Sequence, residues 1–283
     1  MERSLLETLQ SQPSWVLVCL SLGTLSTFRF FISILQLVYI FLLSSKNLID
    51  YGQWAIVTGP TDGIGKAMAF ELARRGLNLV LYPGVELKTV VIDLSGDLSE
   101  GIRNLKDVIK EIDVGILVNN AGLSQKKPMF FHEIDEEMWG KIVRVNLVAP
   151  TVVTAAVLPS MLQRRRGAII NIGSGSTVIP SFPLYAVYTG TKGYISSLSK
   201  SLHAEYKQSG IHANARPSFF IATPSQYACS AIRCIRYGPE CIPYWSHFIL
   251  YYLVQLSPAD CIVNRVLLRS ALQKRMSNIY GKK

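Results

Sequence analysis

Apolar residues follow two different rhythms along this chain. Residues 15–43 are almost continuously apolar, with Arg29 the single charge. The run exceeds the ~20 residues that a membrane-crossing helix needs. It is also too long for the apolar part of a cleaved leader, so a retained anchor is the favoured reading. From residue 53 onward, short apolar blocks alternate with stretches of helical period. Gln53–Thr58, Leu77–Leu81, Val90–Asp93, Val114–Val118, Ala168–Ile172 and Ile211–Ala215 read as buried strands. Gly63–Arg75, closed by Gly76, and Ser99–Ile112 read as helices, the second with Ile102, Leu105, Val108, Ile109 and Ile112 on one side. Asp135–Leu162 is a long helical stretch interrupted at Pro150 or Pro159, and Tyr188–Gln208 is a further helix. Strands alternating with helices predict an α/β fold, a Rossmann-like doubly wound parallel sheet. The predicted organisation is an N-terminal segment, residues 1–50, carrying the anchor, and one globular domain, residues 51–283.

Composition agrees with contact with a membrane. Hydrophobic residues make up 49% of the 283, and mean hydropathy is +0.27. The net charge of +10 suits anionic headgroups, an anionic substrate or a phosphorylated cofactor. No nucleic-acid motif accompanies it, so no nucleic-acid partner is expected. Lys46 follows the apolar run, whereas Glu2 and Glu7 precede it. That asymmetry faintly favours a cytosolic globular domain. Cys19, Cys229, Cys234, Cys241 and Cys261 include no C-x-x-C pair and read as free thiols. No metal site is expected.

Three separated motifs carry the chemistry. Thr58-Gly-Pro-Thr-Asp-Gly-Ile-Gly65 lies between the first strand and the first helix. Glycines there allow a tight turn and close approach of a pyrophosphate, whose charge the helix N-terminus favours. An ordinary tight strand–helix turn is the plain alternative. Asp93 closes the third apolar block, where a carboxylate can accept from an adenine amino group or can simply turn the chain. Asn119-Asn120-Ala121-Gly122 closes the fourth strand with small residues and amides that can tie strand ends together. Tyr188 and Lys192 are spaced to share a helix face. A tyrosine ordinarily titrates near ~10. A neighbouring ammonium is expected to lower that value and fit the phenol for proton transfer at neutral pH, unless the two are merely a surface pair. Ser174, with Ser176 as the alternative, follows the fifth strand and can hydrogen-bond a carbonyl. Asn146 can hold a water that relays protons to Lys192, or can serve as a packing or kink residue.

These motifs, in this order, resemble the short-chain dehydrogenase/reductase family over residues 53–223. The flanks, SKNL before the first strand, YGQWAIVTGPTDGIGKA and GAIINIGSGS, are similar to the very-long-chain 3-oxoacyl-CoA reductases of the endoplasmic-reticulum fatty acid elongase, in plants above all. The 17β-hydroxysteroid dehydrogenases share the same motifs. The resemblance implies NADPH-dependent reduction of a 3-oxoacyl-CoA, with Tyr188 as proton donor and Lys192 as its modulator. It implies Ser174 as the carbonyl-orienting hydroxyl and Asn146 as the relay. It assigns the dinucleotide to Thr58, Gly59, Thr61, Asp62, Gly63, Ile64, Gly65, Asp93, Asn120, Ala121, Gly122, Tyr188, Lys192 and Thr223. It also implies an acyl-CoA-type lipid substrate, the endoplasmic reticulum membrane and other elongase subunits as partners. A steroid oxidoreductase and an impaired scaffold partner are the alternatives.

The chain departs from that pattern twice. Only residues 82–88 separate the second and third predicted strands, too few for the crossover of a dozen or more that parallel neighbours need. A strand lost or displaced, or paired antiparallel, is therefore expected. Tyr82, Pro83 and Gly84 also stand where a basic residue usually meets a cofactor phosphate. After the sixth strand, residues 216–223 run directly into Pro224, leaving no room for a substrate lid. Tyr244–Leu256 is apolar but short of a span, and Gly281–Lys283 only loosely resembles a retrieval signal.

Overall fold

The computed structural model describes residues 12–43, 47–79, 88–216, 223–235 and 260–280. The chain divides into two compact units, Met1–Ser45 and Lys46–Lys283. In the first, α1 spans Ser14–Leu43, and its segment Ser14–Ile32 has a mean hydropathy of 1.7. Three of its hydroxyls are satisfied within the helix. Ser21 donates to the Leu17 carbonyl at 2.8 Å, Thr24 to Leu20 at 2.9 Å and Thr27 to Gly23 at 2.8 Å. Such internal satisfaction suits a helix in lipid, where no water can take those donors.

The second unit is a five-stranded parallel sheet flanked by helices on both faces. In chain order its elements are β1 (Trp54–Val57), α2 (Gly63–Arg74), β2 (Asn78–Leu79), α3 (Ser99–Lys110) and β3 (Val114–Asn119). Then come α4 (Glu136–Val143), a π-helical turn (Arg144–Val148), α5 (Ala149–Arg164), β4 (Gly167–Ile172), α6 (Ala186–Tyr206), β5 (Ile211–Arg216), α7 (Pro224–Arg233) and α8 (Asp260–Tyr280). The strand order is β2-β1-β3-β4-β5, every pair parallel. Connections diverge on either side of β1 and β3, which creates a crevice at their carboxyl ends.

Alternation along the strands feeds two cores. Ala55, Val57, Ile116, Val118, Ala168 and Ile170 pack with Met68 and Leu72 of α2 and with Tyr227 and Ile232 of α7. Trp54, Ile56, Leu117 and Ile169 face Ile102, Leu105, Val153, Val157 and Leu202 from α3, α5 and α6. Apolar residues on both faces explain why these strands read as continuous hydrophobic blocks. Local chemistry sets the helix ends. Asp62 Oδ1 accepts from the Gly63 amide at 2.7 Å to start α2, and Gly76, at φ 86°, follows its end. Asp135 accepts from the Met138 amide at 2.7 Å to start α4.

Of the outcomes left open by the short link, the structure shows the loss of a strand: Val90–Asp93 forms none, and among the described residues β2 is the edge of a five-stranded sheet. The Lys88 amide donates to the Leu79 carbonyl at 3.3 Å, and Val90 and Ile92 pack on the α3 face of the sheet while Val91 is 87% exposed. Residues 80–87, which lie outside the described residues, are too few to return for a parallel pairing. One expectation changes: the 135–162 stretch is interrupted neither at Pro150 nor at Pro159 but just before Pro150, by the π-helical turn. Pro150 has no N–H to give the carbonyl four residues earlier, that of Asn146, and its ring crowds that carbonyl. The ladder accordingly widens, with the Ala149 amide reaching the Arg144 carbonyl.

The carboxyl-terminal helix α8 is held by polar clamps. Arg275 forms a two-pronged pair with Glu133 and lies 5.0 Å over the Phe130 ring. Asn264 accepts from Ser181 at 2.6 Å. The guanidinium beside Glu133 holds its carboxyl down at about 2. Tyr244–Leu256, Gly281–Lys283, Tyr82–Gly84 and residues 217–222 lie outside the described residues.

Candidate active site

The glycine turn is braced from the next strand. Thr58 Oγ1 accepts from the Asn120 amide at 3.0 Å and the Ala121 amide at 3.1 Å. Asn120 returns the contact, donating Nδ2 to the Thr58 carbonyl at 3.1 Å and the Gly59 carbonyl at 3.0 Å. Gly59 and Gly63 sit at φ 60° and 55°, a region that L side chains rarely adopt. A Cβ on Gly65 would fall 2.2 Å from Asn120 Nδ2 and from the Gly59 carbonyl oxygen. The turn therefore tolerates no side chain on its inner side, while nothing lies within 4 Å of a Cβ placed on Gly63. Thr61, Asp62 and Gly63 are exposed at the open start of α2, and Ile64 packs beneath them against the first core. An open, glycine-rich helix N-terminus, capped by Asp62 on the Gly63 amide, fits a pyrophosphate.

Behind this turn, buried amides tie the carboxyl ends of the strands together. Asn119 donates to Asn171 at 2.8 Å and to Thr154 at 2.9 Å, and Asn171 donates to Ser199 at 2.8 Å. Asn171, Thr154 and Ser199 were not among the candidates from sequence. The available signal was a polar residue inside the otherwise apolar strand GAIINI.

The catalytic candidates converge at the ends of β3 and β4. Lys192 is 5% exposed, and its Nζ donates to the Ile172 carbonyl at 2.8 Å. Burial pulls its pKa down to about 8. A Cβ on Gly122 would lie 3.5 Å from that Nζ and 3.6 Å from Asn146 Oδ1, so the three residues share one small volume. The π-helical turn delivers Asn146 there, 2% exposed. Its Oδ1 accepts from the Leu123 amide at 2.7 Å, and its Nδ2 donates to the Leu123 carbonyl at 2.8 Å and to Thr191 at 3.1 Å. The Asn146 side chain thus fixes the segment leaving β3 against the turn of α6 that carries Lys192.

Tyr188 lies in the first turn of α6 and hydrogen-bonds Ser174. The two candidate serines occupy different places. Ser174 pairs with the phenol, whereas Ser176 donates its amide at 3.1 Å and its hydroxyl at 3.0 Å to Ser174 Oγ. The expected acidification of the phenol requires correction. Burial raises the Tyr188 pKa, the Ser174 bond only partly opposes it, and Lys192 Nζ stands 5.9 Å from the ring centroid. The ammonium is itself buried and directed to a backbone carbonyl, so desolvation outweighs attraction in this arrangement.

Two candidates stand apart. Asp93 is exposed and its Oδ1 accepts from the Ser95 amide at 2.9 Å and hydroxyl at 2.7 Å, which lowers its pKa. It shapes the turn leading to α3. Thr223 starts α7 in a reciprocal cap with Gln226, at 3.2 and 3.3 Å.

A doubly wound parallel sheet, a backbone-lined glycine turn and a tyrosine–lysine–serine cluster at the strand ends define a class of dinucleotide-dependent oxidoreductases. The short chain dehydrogenase family model matches residues 53–230, and the chain belongs to the short-chain dehydrogenase/reductase family. It is 42% identical over 272 residues to the very-long-chain 3-oxoacyl-CoA reductase-like protein At1g24470 of Arabidopsis thaliana, covering 83% of this chain and 86% of that one. It is 34% identical over 284 residues to the inactive hydroxysteroid dehydrogenase-like protein 1 of Homo sapiens, covering 86% of each. Among solved structures, a metagenomic short-chain oxidoreductase in complex with NADP is 26% identical with a TM-score of 0.60, covering 68% of this chain and 96% of that one.

Proposed function

We propose that this protein reduces the 3-oxo group of a very-long-chain 3-oxoacyl-CoA to the 3-hydroxyl, using NADPH. The observation that carries the reading is the gathering of Tyr188, Ser174, Lys192 and Asn146 at the carboxyl ends of β3 and β4, beside the glycine turn. The 42% identity to a 3-oxoacyl-CoA reductase-like protein supports the substrate class, and the NADP-bound relative supports the cofactor. A bound nicotinamide supplies the hydride. Thr58, Gly59, Thr61, Asp62, Gly63, Ile64 and Gly65 hold the pyrophosphate, and Asn120, Ala121 and Gly122 leave room for the rest of the dinucleotide. Asp93 and Thr223, engaged in a turn and in a helix cap, take no part in this reading. Ser174 donates to the substrate carbonyl oxygen as charge develops on it, and Tyr188 then gives that oxygen its proton. Lys192 holds the nicotinamide ribose, and Asn146 keeps Lys192 and the segment leaving β3 in register.

In this reading α1 anchors the protein in the endoplasmic reticulum membrane with the globular unit on the cytosolic side, among other elongase subunits. The apolar α1 and the Lys46 asymmetry support it. The absence of a strand at Val90–Asp93 favours a second reading, a non-catalytic elongase partner, in line with the similarity to a protein named inactive. Membranes carrying the full chain separate the two. Tyr188→Phe is expected to lower NADPH-dependent reduction of a 3-oxoacyl-CoA about 10³-fold while NADPH still binds. A folded wild type that binds NADPH but turns over no 3-oxoacyl-CoA would favour the non-catalytic partner.

A further inference from the structure

A buried side chain outside the catalytic set bears on where the phenol points. Gln125 is 3% exposed, and its Nε2 donates to the Leu184 carbonyl at 2.8 Å. Leu184 is itself buried and sits at φ 65°, a left-handed conformation unusual for a branched side chain. Such a residue persists only where its surroundings over-determine it. The same carbonyl also accepts from the Met129 amide at 3.2 Å. The next residue, Tyr185, precedes α6, and its carbonyl accepts from the Thr189 amide at 2.9 Å. The direction in which Leu184 leaves the loop therefore sets the first turn of α6, which carries Tyr188.

Gln125 is well placed to impose that direction. Asn146 grips Leu123, two residues earlier, through both its amide and its carbonyl. Asn146 also bonds Thr191, next to Lys192. A closed circuit results, running from Thr191 through Asn146, Leu123 and Gln125 to Leu184 and back along α6 through Tyr188. Gln125 Oε1 is buried with no hydrogen-bond partner among the described residues, and an apolar side chain of the same bulk would avoid that penalty.

We propose that Gln125 is a positioning residue for Tyr188, holding Leu184 in its left-handed conformation so that the phenol meets Ser174. The inference rests on Tyr188 being the proton donor. Without the Gln125 bond, Leu184 relaxes toward extended backbone, α6 starts differently, and the phenol loses its Ser174 partner.

The test compares Gln125→Met, which keeps the bulk, with the same change combined with Leu184→Gly, which adopts a positive φ freely. In the full-length protein, Gln125→Met is expected to unfold at the same or a higher temperature. It should bind NADPH within about twofold of wild type and lose about tenfold in kcat. The phenolate absorbance assigned to Tyr188, by subtracting that of Tyr188→Phe, is expected to titrate at higher pH, because the phenolate loses the Ser174 hydrogen bond that favours it. The double variant is expected to recover turnover to within about threefold of wild type. Lower thermal stability with unchanged turnover per NADPH-binding site and an unchanged phenolate titration would overturn the proposal. So would a folded double variant that recovers nothing. Because the phenolate titration needs no substrate, it judges the role of Gln125 even if the 3-oxoacyl-CoA reading fails.

Discussion

The two ends of the sheet are built to different standards. At the β3–β5 side, every strand is six residues long. There the buried amides of Asn119 and Asn171 link neighbouring strands to Thr154 and Ser199, and Asn146 joins two segments by three hydrogen bonds. At the β2 side the described part of the edge strand is two residues long, the described residues between it and α3 form no strand, and the returning chain packs on a face of the sheet. On the proposed reading, the first region carries the groups that move a proton and the second meets the adenosine half of the dinucleotide. The contrast separates chemistry from affinity: the catalytic cluster depends on contacts made entirely within β3–α6, and it survives the loss of the far edge.

This comparison breaks most sharply if the glycine turn proves tolerant. Gly65→Ala places a methyl against Asn120 and the Gly59 carbonyl. It is expected to weaken dinucleotide binding about 100-fold, measured by calorimetry, because the Gly59 backbone carbonyl must move as well as the hydrogen-bonded Asn120 amide. Binding at wild-type strength would mean that the dinucleotide does not use this turn. A smaller effect should come from repairing the weak edge. Inserting a helical crossover of about a dozen residues between Leu79 and Lys88, with a lysine after β2, is expected to tighten NADPH about tenfold and leave kcat unchanged. If kcat rose instead, the two regions would be coupled.

The smallest effect concerns the cofactor-free protein. Lys192 holds its proton less tightly when folded, with a pKa of about 8, than in the unfolded chain, where lysine titrates near ~10.4. Between those values the unfolded chain carries more protons, so stability rises as pH rises through this window. Lys192→Met is expected to remove that slope and to stabilise the cofactor-free protein by about 1 kcal/mol in denaturant unfolding, while abolishing turnover. A variant less stable than wild type would show that the bond to Ile172 outweighs the desolvation of the ammonium.

Much of this was legible in the residues. The apolar blocks at Gln53–Thr58, Val114–Val118, Ala168–Ile172 and Ile211–Ala215 became β1, β3, β4 and β5 with ends shifted by a residue or so. A strand buried on both faces has little choice but to be apolar throughout. Gly76 and Asp135 announced helix ends because capping is a local affair between near neighbours. At Val90–Asp93 the same apolar pattern serves a strand and a segment lying across a face; the shortness of the preceding link, also legible in the sequence, pointed to the lost strand.

Sequence determined the class of this protein, because a glycine turn, a run of small residues after a strand and a tyrosine–lysine pair on one helix turn are each fixed by spacing along the backbone. Tertiary structure decided how those pieces act. Only folding removed water from Lys192 and from the Tyr188 phenol, raising the tyrosine's pKa where proximity to lysine had suggested the opposite. Only folding brought Gln125 to Leu184, a separation of 59 residues. Desolvation and long-range hydrogen bonds depend on which distant segments meet, and no local pattern of residues encodes that.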